Sequence, residues 1–363
     1  MRDVAVVGFA QRQTMEFDGS PNCVELLVPI LAELWQQTGW TKDDIGFWCS
    51  GSSDYLAGRS FSFVTAIDAI GAVPPVSESH VEMDAAWSLY EGWLKIQTGE
   101  ADSALVYGFG KSSASPLRRT LALQLDPYTV TPLWPDTVSI AGLQARLGIE
   151  HGRWDERAMA EVVARSRTAA ADNEYAVLKG ATTVEDVLAE PLFADPLRRS
   201  DCAPVTDGAA AMIIAAADSP RFRSLSLSTG GAAWITGFEH RIDPIGLGSR
   251  DLLRSPSAHV AGVAAGASSV QLAELHAPFS HQEILLRDEL GLADDAVVNP
   301  SGGALCGNPM FSSGLVRIGE AAKRVWAGEV DRALGHATSG PALQQNLVCV
   351  MDASTGRATG GRA

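Results

Sequence analysis

The chain has 363 residues, 46% of them hydrophobic and 20% charged, with a formal net charge of −15. That length can bury a large core and suits two domains or one duplicated one, while the lack of a basic stripe excludes nucleic acid as an expected partner. No apolar run approaches the roughly 20 residues a membrane-spanning helix needs. Val4 to Gly8 reads as a short strand, and Gly8 with the polar Gln11 to Thr14 cuts the apolar run too short for a signal peptide. Cys23 to Trp35 reads as a helix, with Leu26, Leu27, Ile30, Leu31 and Leu34 on one face and a stop near Gly39. Thr41 caps an acidic turn at Lys42, Asp43 and Asp44, and Ile45 to Ser50 reads as a strand. Phe61 to Ile70 is the next helix, followed by a turn at Val73 to Val76. Asp84 to Gln97 is a helix closed by Gly99, leading into a buried strand at Ala104 to Tyr107.

The 112–199 stretch reads as an insertion. It is irregular and proline-rich at first (Pro116, Pro127, Pro132, Pro135), then helical at Glu156 to Ala171 and Val184 to Ala189. Asp207 to Ala216 reads as a strand of small residues. The five cysteines, Cys23, Cys49, Cys202, Cys306 and Cys349, are scattered without a C-x-x-C pair. They predict reduced thiols in a cytoplasmic protein, with no zinc site and no disulfide framework. Residues 356–363, rich in Gly, Arg, Ala and Thr, read as a frayed tail.

A repeat runs through this order. I-Q-T-G-E-A-D-S-A-L-V-Y from Ile96 resembles V-W-A-G-E-V-D-R-A-L-G-H from Val325, and V-A-V-V-G-F from Val4 resembles A-W-I-T-G-F from Ala233. Gly99 and Gly328, and Gly8 and Gly237, are each 229 residues apart (328 − 99 and 237 − 8). One shared offset predicts an internal duplication, with halves at 1–228 and 229–355.

The densest candidate site is the stretch from Asn299, N-P-S-G-G-A-L-C-G-N-P-M-F-S-S-G. Gly302, Gly303 and Gly307 permit close backbone approach or positive φ, and an amphipathic helix follows (Leu315, Ile318, Ala322, Val325, Trp326). Such a turn can aim N–H groups at an anion or oxyanion. The plainer reading is a surface turn.

N-P-S-G-G at Asn299, P-L-R-R-S-D-C-A-P-V-T-D-G-A-A-A from Pro196, A-E-L-H-A-P-F from Ala273 and A-L-Q-Q-N from Ala342 together resemble the thiolase superfamily. More narrowly, the chain resembles sterol-carrier-protein-type thiolases and the bacterial lipid-transfer-protein branch. The resemblance covers nearly the whole chain. It implies an α/β thiolase fold, a duplicated five-layer α-β-α-β-α sandwich, in an obligate homodimer. The family's nucleophilic cysteine opens the third helix of the first half, where this chain reads H-V-E-M-D-A-A-W and the matching position is Asp84. The family's G-H-P turn is Gly307-Asn308-Pro309 here, and its second cysteine loop is H-A-T-S-G-P from His336, without a thiol.

Loss of both cysteines argues against Claisen chemistry. What the resemblance leaves is an enolate-binding pair, His276 and Asn308, suited to retro-aldol cleavage of a β-hydroxyacyl-CoA. Members of this branch cleave steroid side-chain thioesters and release acetyl-CoA or propionyl-CoA. They work with a small partner carrying an OB fold and a zinc ribbon, so zinc is expected in the partner and no cofactor in this chain. In some members tyrosines fill the positions of His276 and Asn308. A scaffold or lipid-carrier subunit and a residual thiolase using Cys306 are the rival readings.

Each candidate has a structural alternative. His276 also suits a core histidine and Asn308 a turn residue. Asp84 suits an N-cap as well as a general base. Cys306 suits a buried filler as well as a proton donor. Gly303, Gly307, Ser339, Arg198 and Arg199 are substrate-binding candidates. The arginines, with Arg118 and Arg119, suit CoA phosphates or plain surface. His336 and Ser339 suit backbone shaping, Asp207 a turn tie, His281 an exposed or structural role, and Tyr55, His80 and Glu82 packing.

Overall fold

A computed structural model describes residues 1–15, 22–57, 60–224 and 232–355. The strands are β1 (Val4–Thr14), β2 (Phe47–Gly51), β3 (Glu78–Val81), β4 (Ser103–Gly110), β5 (Leu192–Ala194), β6 (Leu197–Arg198), β7 (Asp207–Ala216), β8 (Ala233–Ile242), β9 (Leu272–Glu274), β10 (Val297–Val298), β11 (Arg332–Ser339) and β12 (Gln345–Asp352). Ten of them form one sheet in the order β10-β9-β11-β12-β8-β1-β7-β4-β2-β3, and β5 pairs with β6 alone.

The middle of this sheet is thin. β1 and β8 meet only at Ala5↔Trp234 and Val6↔Ala233. To either side the order is the same, β1-β7-β4-β2-β3 and β8-β12-β11-β9-β10. The senses repeat too: the two inner ladders are antiparallel and the two outer ones parallel in each half. Even the irregularities match. β1 skips Val7 against β7, and β8 skips Thr236 against β12, two bulges at the same 229 offset (236 − 7). A bulge turns the following side chains to the other face. Val4 and Val6 point into the central core and then Phe9 does; Ala233 does and then Phe238. Gly8 and Gly237 follow the two bulges, and a Cβ there would collide with Thr38 and with the Ala265 carbonyl respectively.

Three apolar clusters define the layers. Alternate residues of β4 and β7 (Leu105, Tyr107, Ile213) meet the helices Cys23–Thr38 and Ser62–Ile70 on one outer face. Their neighbours (Val106, Met212, Ile214) face a central cluster built on the buried helices Ala85–Gln97 and Ser313–Trp326. Val348 and Val350 face the second outer layer, the helices Pro256–Ala265 and Ser280–Leu290. This is the expected five-layer α/β sandwich.

The halves differ where β4 connects to β7. The equivalent link between β11 and β12 is residues 340–344, whereas this one carries helices Leu117–Leu123, Thr137–Glu150, Glu156–Ala169 and Val184–Ala189 and the β5–β6 hairpin. The proline-rich part, expected to be irregular, contains the first of these helices and two 3-10 turns. The expected boundary near 228 and the expected frayed tail, 356–363, lie outside the described residues. Among the described residues no helix is long and apolar enough to cross a membrane.

Candidate active site

The turn after β10 is held by Asn299, itself at φ 51°. Its Oδ1 accepts from the Leu275 N–H at 2.6 Å and its amide donates to the buried Glu283 at 2.7 Å. Gly302 and Gly303 take φ 97° and 65° as the sequence requires, but Gly307 is extended at φ 173°. What demands glycine at 307 is space, because a Cβ would strike the Gln13 side chain.

The N–H groups of the turn do converge on anions, but these are the protein's own. Ser301 donates through N–H and hydroxyl to Glu274, at 2.9 and 2.7 Å. Glu274 is fully buried and paired with Arg317 at 3.0 Å. Gly314 and Leu315 donate to Asp84 at 2.9 and 3.1 Å. The Ser301, Gly314 and Leu315 N–H groups are therefore already taken by carboxylates of the chain itself.

A cleft of about 280 Å3 lies beside it. The carboxyl ends of β3, β9, β10 and β11 deliver Asp84, His276, Asn308 and Ser339 to its polar end, the usual place for a ligand in α/β sheets. The insertion lines the other side with Leu117, Leu121, Leu125, Val138 and Phe193.

His276 and Asn308 are hydrogen-bonded to each other, Nε2 to Oδ1, at 3.0 Å. The Thr338 N–H points at His276 Nδ1, at 3.4 Å, so Nδ1 is the acceptor and the proton sits on Nε2. His276 Nε2–H thus donates to Asn308 Oδ1, which also accepts from the Ser313 hydroxyl at 2.7 Å. Two donors on Oδ1 leave the Asn308 NH2 as the amide's outward group, without a protein partner among the described residues. The sequence reading gave two oxyanion donors. In the structure the His276 Nε2–H is taken up by Asn308 Oδ1, and the Asn308 NH2 is the outward group of the pair. Burial, helped by the nearby His336, pushes the His276 pKa down to about 3, so the ring is neutral at physiological pH.

Asp84 caps the Ala85–Gln97 helix through the Ala86 N–H at 2.9 Å. It also takes the Gly314 and Leu315 N–H groups of the opposing buried helix. One carboxylate therefore closes the N-termini of both central helices, a favourable place for negative charge. Burial raises its pKa, and the three N–H groups pull against that. All three contacts are donors, so the ionised form is the one they complement.

Ser339 and Arg199 line the cleft, Arg199 exposed with its guanidinium 5.3 Å from the Phe193 ring centre. Arg118 also lines it, 5.8 Å from the same ring. Arg119, Cys306, Arg198, Gly303 and Gly307 do not line the cleft. The Cys306 thiol packs against Ala170 and Ala176, donates to the Ser166 carbonyl, and has its pKa pushed up to about 11 by burial. Arg198 is buried and paired with Glu156. Gly303 and Gly307 shape the turn behind Asn308.

Cys202, which sequence reasoning passed over, lines the cleft, but its thiol is pushed up to about 12 and faces the Arg198 carbonyl. Also missed was Glu274, although it sits two residues before His276 in the A-E-L-H landmark. A carboxylate inside an apolar strand segment was the available signal.

His281 is fully buried against Gln144, so its role is structural and not exposed. His336 bonds Asn346, and Asp207 ties the insertion's Ser113 to β7. His80 meets Ser50, while Tyr55 is two-thirds exposed.

The buried histidines predict acid sensitivity. An unfolded histidine takes up a proton near pH 6.5, whereas His276 and His281 resist until about 3 and His336 until about 4. Between those limits the unfolded chain binds more protons, so stability falls as the pH drops through 6.5. Urea midpoints measured from pH 7.5 to 4.5 are expected to decline over that window, and His281→Gln to flatten the decline.

No family model matches the chain. It is 30% identical over 365 aligned residues to an acetyl-CoA acetyltransferase of Methanothermobacter thermautotrophicus, covering 90% of this chain and 91% of that one. Its fold superposes on human mitochondrial 3-ketoacyl-CoA thiolase with a TM-score of 0.76 at 18% identity, over 97% of this chain and 99% of that one. It superposes equally on an Ltp2-ChsH2(DUF35) aldolase, with a TM-score of 0.76 at 18% identity over 96% of this chain and 98% of that one. With a relative of that identity across nine-tenths of both sequences and a thiolase fold from end to end, the chain belongs to the thiolase superfamily of acyl-CoA enzymes.

Proposed function

We propose that the chain is a retro-aldolase of the lipid-transfer-protein branch, cleaving a β-hydroxyacyl-CoA with a bulky apolar acyl group such as a steroid side chain. One observation carries this reading. The cleft is lined by Asn308, whose Oδ1 is engaged and whose NH2 is left outward, and by Asp84, which holds three N–H groups and which the sequence motif matches to the family's nucleophile.

In the reaction, the β-hydroxyl proton leaves to a base and the O–H electron pair becomes the new C=O. The Cα–Cβ bond breaks onto Cα, and the charge reaches the thioester oxygen as an enolate. The Asn308 N–H receives that oxygen. Return of that proton from the base to Cα, directly or through water, then releases acetyl-CoA or propionyl-CoA, with an aldehyde or ketone as the second product. A carboxylate has about four lone-pair sites, so Asp84 keeps one for the β-hydroxyl or for a relaying water. Arg199 and Arg118 suit the CoA phosphates at the cleft mouth, and the leucine-rich insertion wall suits the acyl group.

We further propose a homodimer that works with a small OB-fold, zinc-ribbon partner. The structural likeness to an aldolase named as a pair of proteins supports the partner. The test is mass spectrometry of the co-expressed complex with a 24-hydroxy steroidal side-chain CoA thioester. Release of acetyl-CoA or propionyl-CoA with a shortened carbonyl product is expected.

The engagement of Asp84 by three N–H groups also favours a second reading, a non-catalytic subunit. Complex formation without cleavage would turn the assignment to it. Acyl transfer, the reaction in the relative's name, needs a reactive thiol, and the two thiols nearest the turn and cleft, Cys306 and Cys202, are both pushed towards the protonated form.

A further inference from the structure

The Asn308 amide can work as an enolate donor only if its NH2, and not its oxygen, faces the cleft. An asparagine side chain is nearly symmetric in shape, so hydrogen bonds alone decide which way it turns. Here the deciding bonds form a chain that starts on the backbone. The Thr338 N–H sets the His276 tautomer, His276 Nε2–H donates to Asn308 Oδ1, and the Ser313 hydroxyl donates to the same oxygen.

The link from Thr338 is long, at 3.4 Å, while that from Ser313 is short, at 2.7 Å. Ser313 is also 1% exposed and opens the buried Ser313–Trp326 helix, so its Cα is held by the protein core. Asn308 is fixed from its backbone side by the Thr206 hydroxyl at 3.1 Å.

We infer that Ser313 is a positioning residue whose hydroxyl locks the Asn308 amide with its NH2 towards the cleft. The inference rests on reading Asn308 as the enolate donor. Without the hydroxyl, Oδ1 keeps only the histidine. A turned amide would then put a carbonyl oxygen against the developing enolate and an N–H against His276 Nε2. The ring answers by moving its proton to Nδ1, where it faces the Thr338 N–H. The loss of Ser313 therefore affects both orientation and tautomer.

The test uses the full chain with its partner protein and two variants, Ser313→Ala and Ser313→Thr. For Ser313→Ala the expected result is about a tenfold fall in kcat on the β-hydroxyacyl-CoA with KM nearly unchanged. Ser313→Thr, which keeps a hydroxyl, should recover most of it. In parallel, 15N NMR of histidine-labelled protein without substrate should show His276 protonated on Nε2 in the parent and a shift towards Nδ1 in Ser313→Ala. Thermal melts establish that both variants are folded.

If the parent cleaves no β-hydroxyacyl-CoA, the proposed function fails, yet the NMR arm still decides the orientation. An unchanged His276 signature together with kcat within twofold in Ser313→Ala would overturn the inference.

Discussion

Asn308→Ala is expected to lower kcat about 10²–10³-fold, the usual loss when one oxyanion donor is removed, or about 2.7–4 kcal/mol. KM should change little, because the enolate charge exists only after the Cα–Cβ bond begins to break. Asn308→Asp should be at least as damaging, since it keeps the shape and places a carboxyl where the NH2 stood. His276→Ala is the informative contrast. Its Nε2–H is already spent on Asn308 Oδ1, so its loss frees the amide to turn but removes no direct donor. The expected fall is smaller than for Asn308→Ala. Steady-state kinetics on the β-hydroxyacyl-CoA measure all three, and a kcat for Asn308→Ala within threefold of the parent would remove Asn308 from the mechanism.

Asp84→Ala is the variant with the largest expected effect on stability. It strips the acceptor from the Ala86, Gly314 and Leu315 N–H groups at once, all in the buried layer between the sheets. Loss of a helix cap costs about 0.5–2 kcal/mol, and each buried donor left unpaired about 1–3 kcal/mol. The sum is expected to reach about 3 kcal/mol or more, a large part of the roughly 5–15 kcal/mol available to a domain. Asp84→Asn should fall between, since one oxygen survives while its NH2 opposes an N–H of the second helix. Urea denaturation with matched m-values is the measurement, and a loss under 1 kcal/mol for the alanine variant would contradict the two-helix clamp. Asp84→Cys adds a chemical readout. A thiol at two helix N-termini should have a pKa well below 8.5 and react with iodoacetamide at pH 7, unlike Cys49, Cys202, Cys306 and Cys349, whose pKa values burial raises.

Much of the fold was legible in the chain itself. The 229-residue offset between Gly8 and Gly237 located equivalent strands, because a bulge leaves a mark that propensity does not. The Asp207–Ala216 strand and the Val184–Ala189 helix run between the residues read from sequence. The Ser280–Leu290 helix was not legible, for a physical reason. His281, Gln282 and Glu283 are buried against Gln144 and Arg165 of the insertion and Glu289 against Arg254, so the polar residues of this helix do not mark an outer face that would set a period. The Pro256–Ala265 helix was hidden differently, its small and apolar residues spread all round it.

The site divides along the same line. Local sequence singled out the turn that carries Asn308, because a special turn needs special residues close together in the chain, and the family resemblance of short landmarks added His276 and Asp84. It could not show what those side chains touch. Asp84 meets Gly314 and Leu315 from across the duplication. His276 meets Thr338 on a neighbouring strand, and the Cys306 thiol turns away towards the helix Glu156–Ala169. The sequence by itself determined the duplicated α/β scaffold, since a repeat follows from spacing and residue type, while its resemblance to a family pointed to Asp84, His276 and Asn308. Only the tertiary structure decided which groups remain free to act. A hydrogen-bonding group in a folded core acts on a substrate only if no other part of the chain has already claimed it, and those claims come from residues remote in sequence.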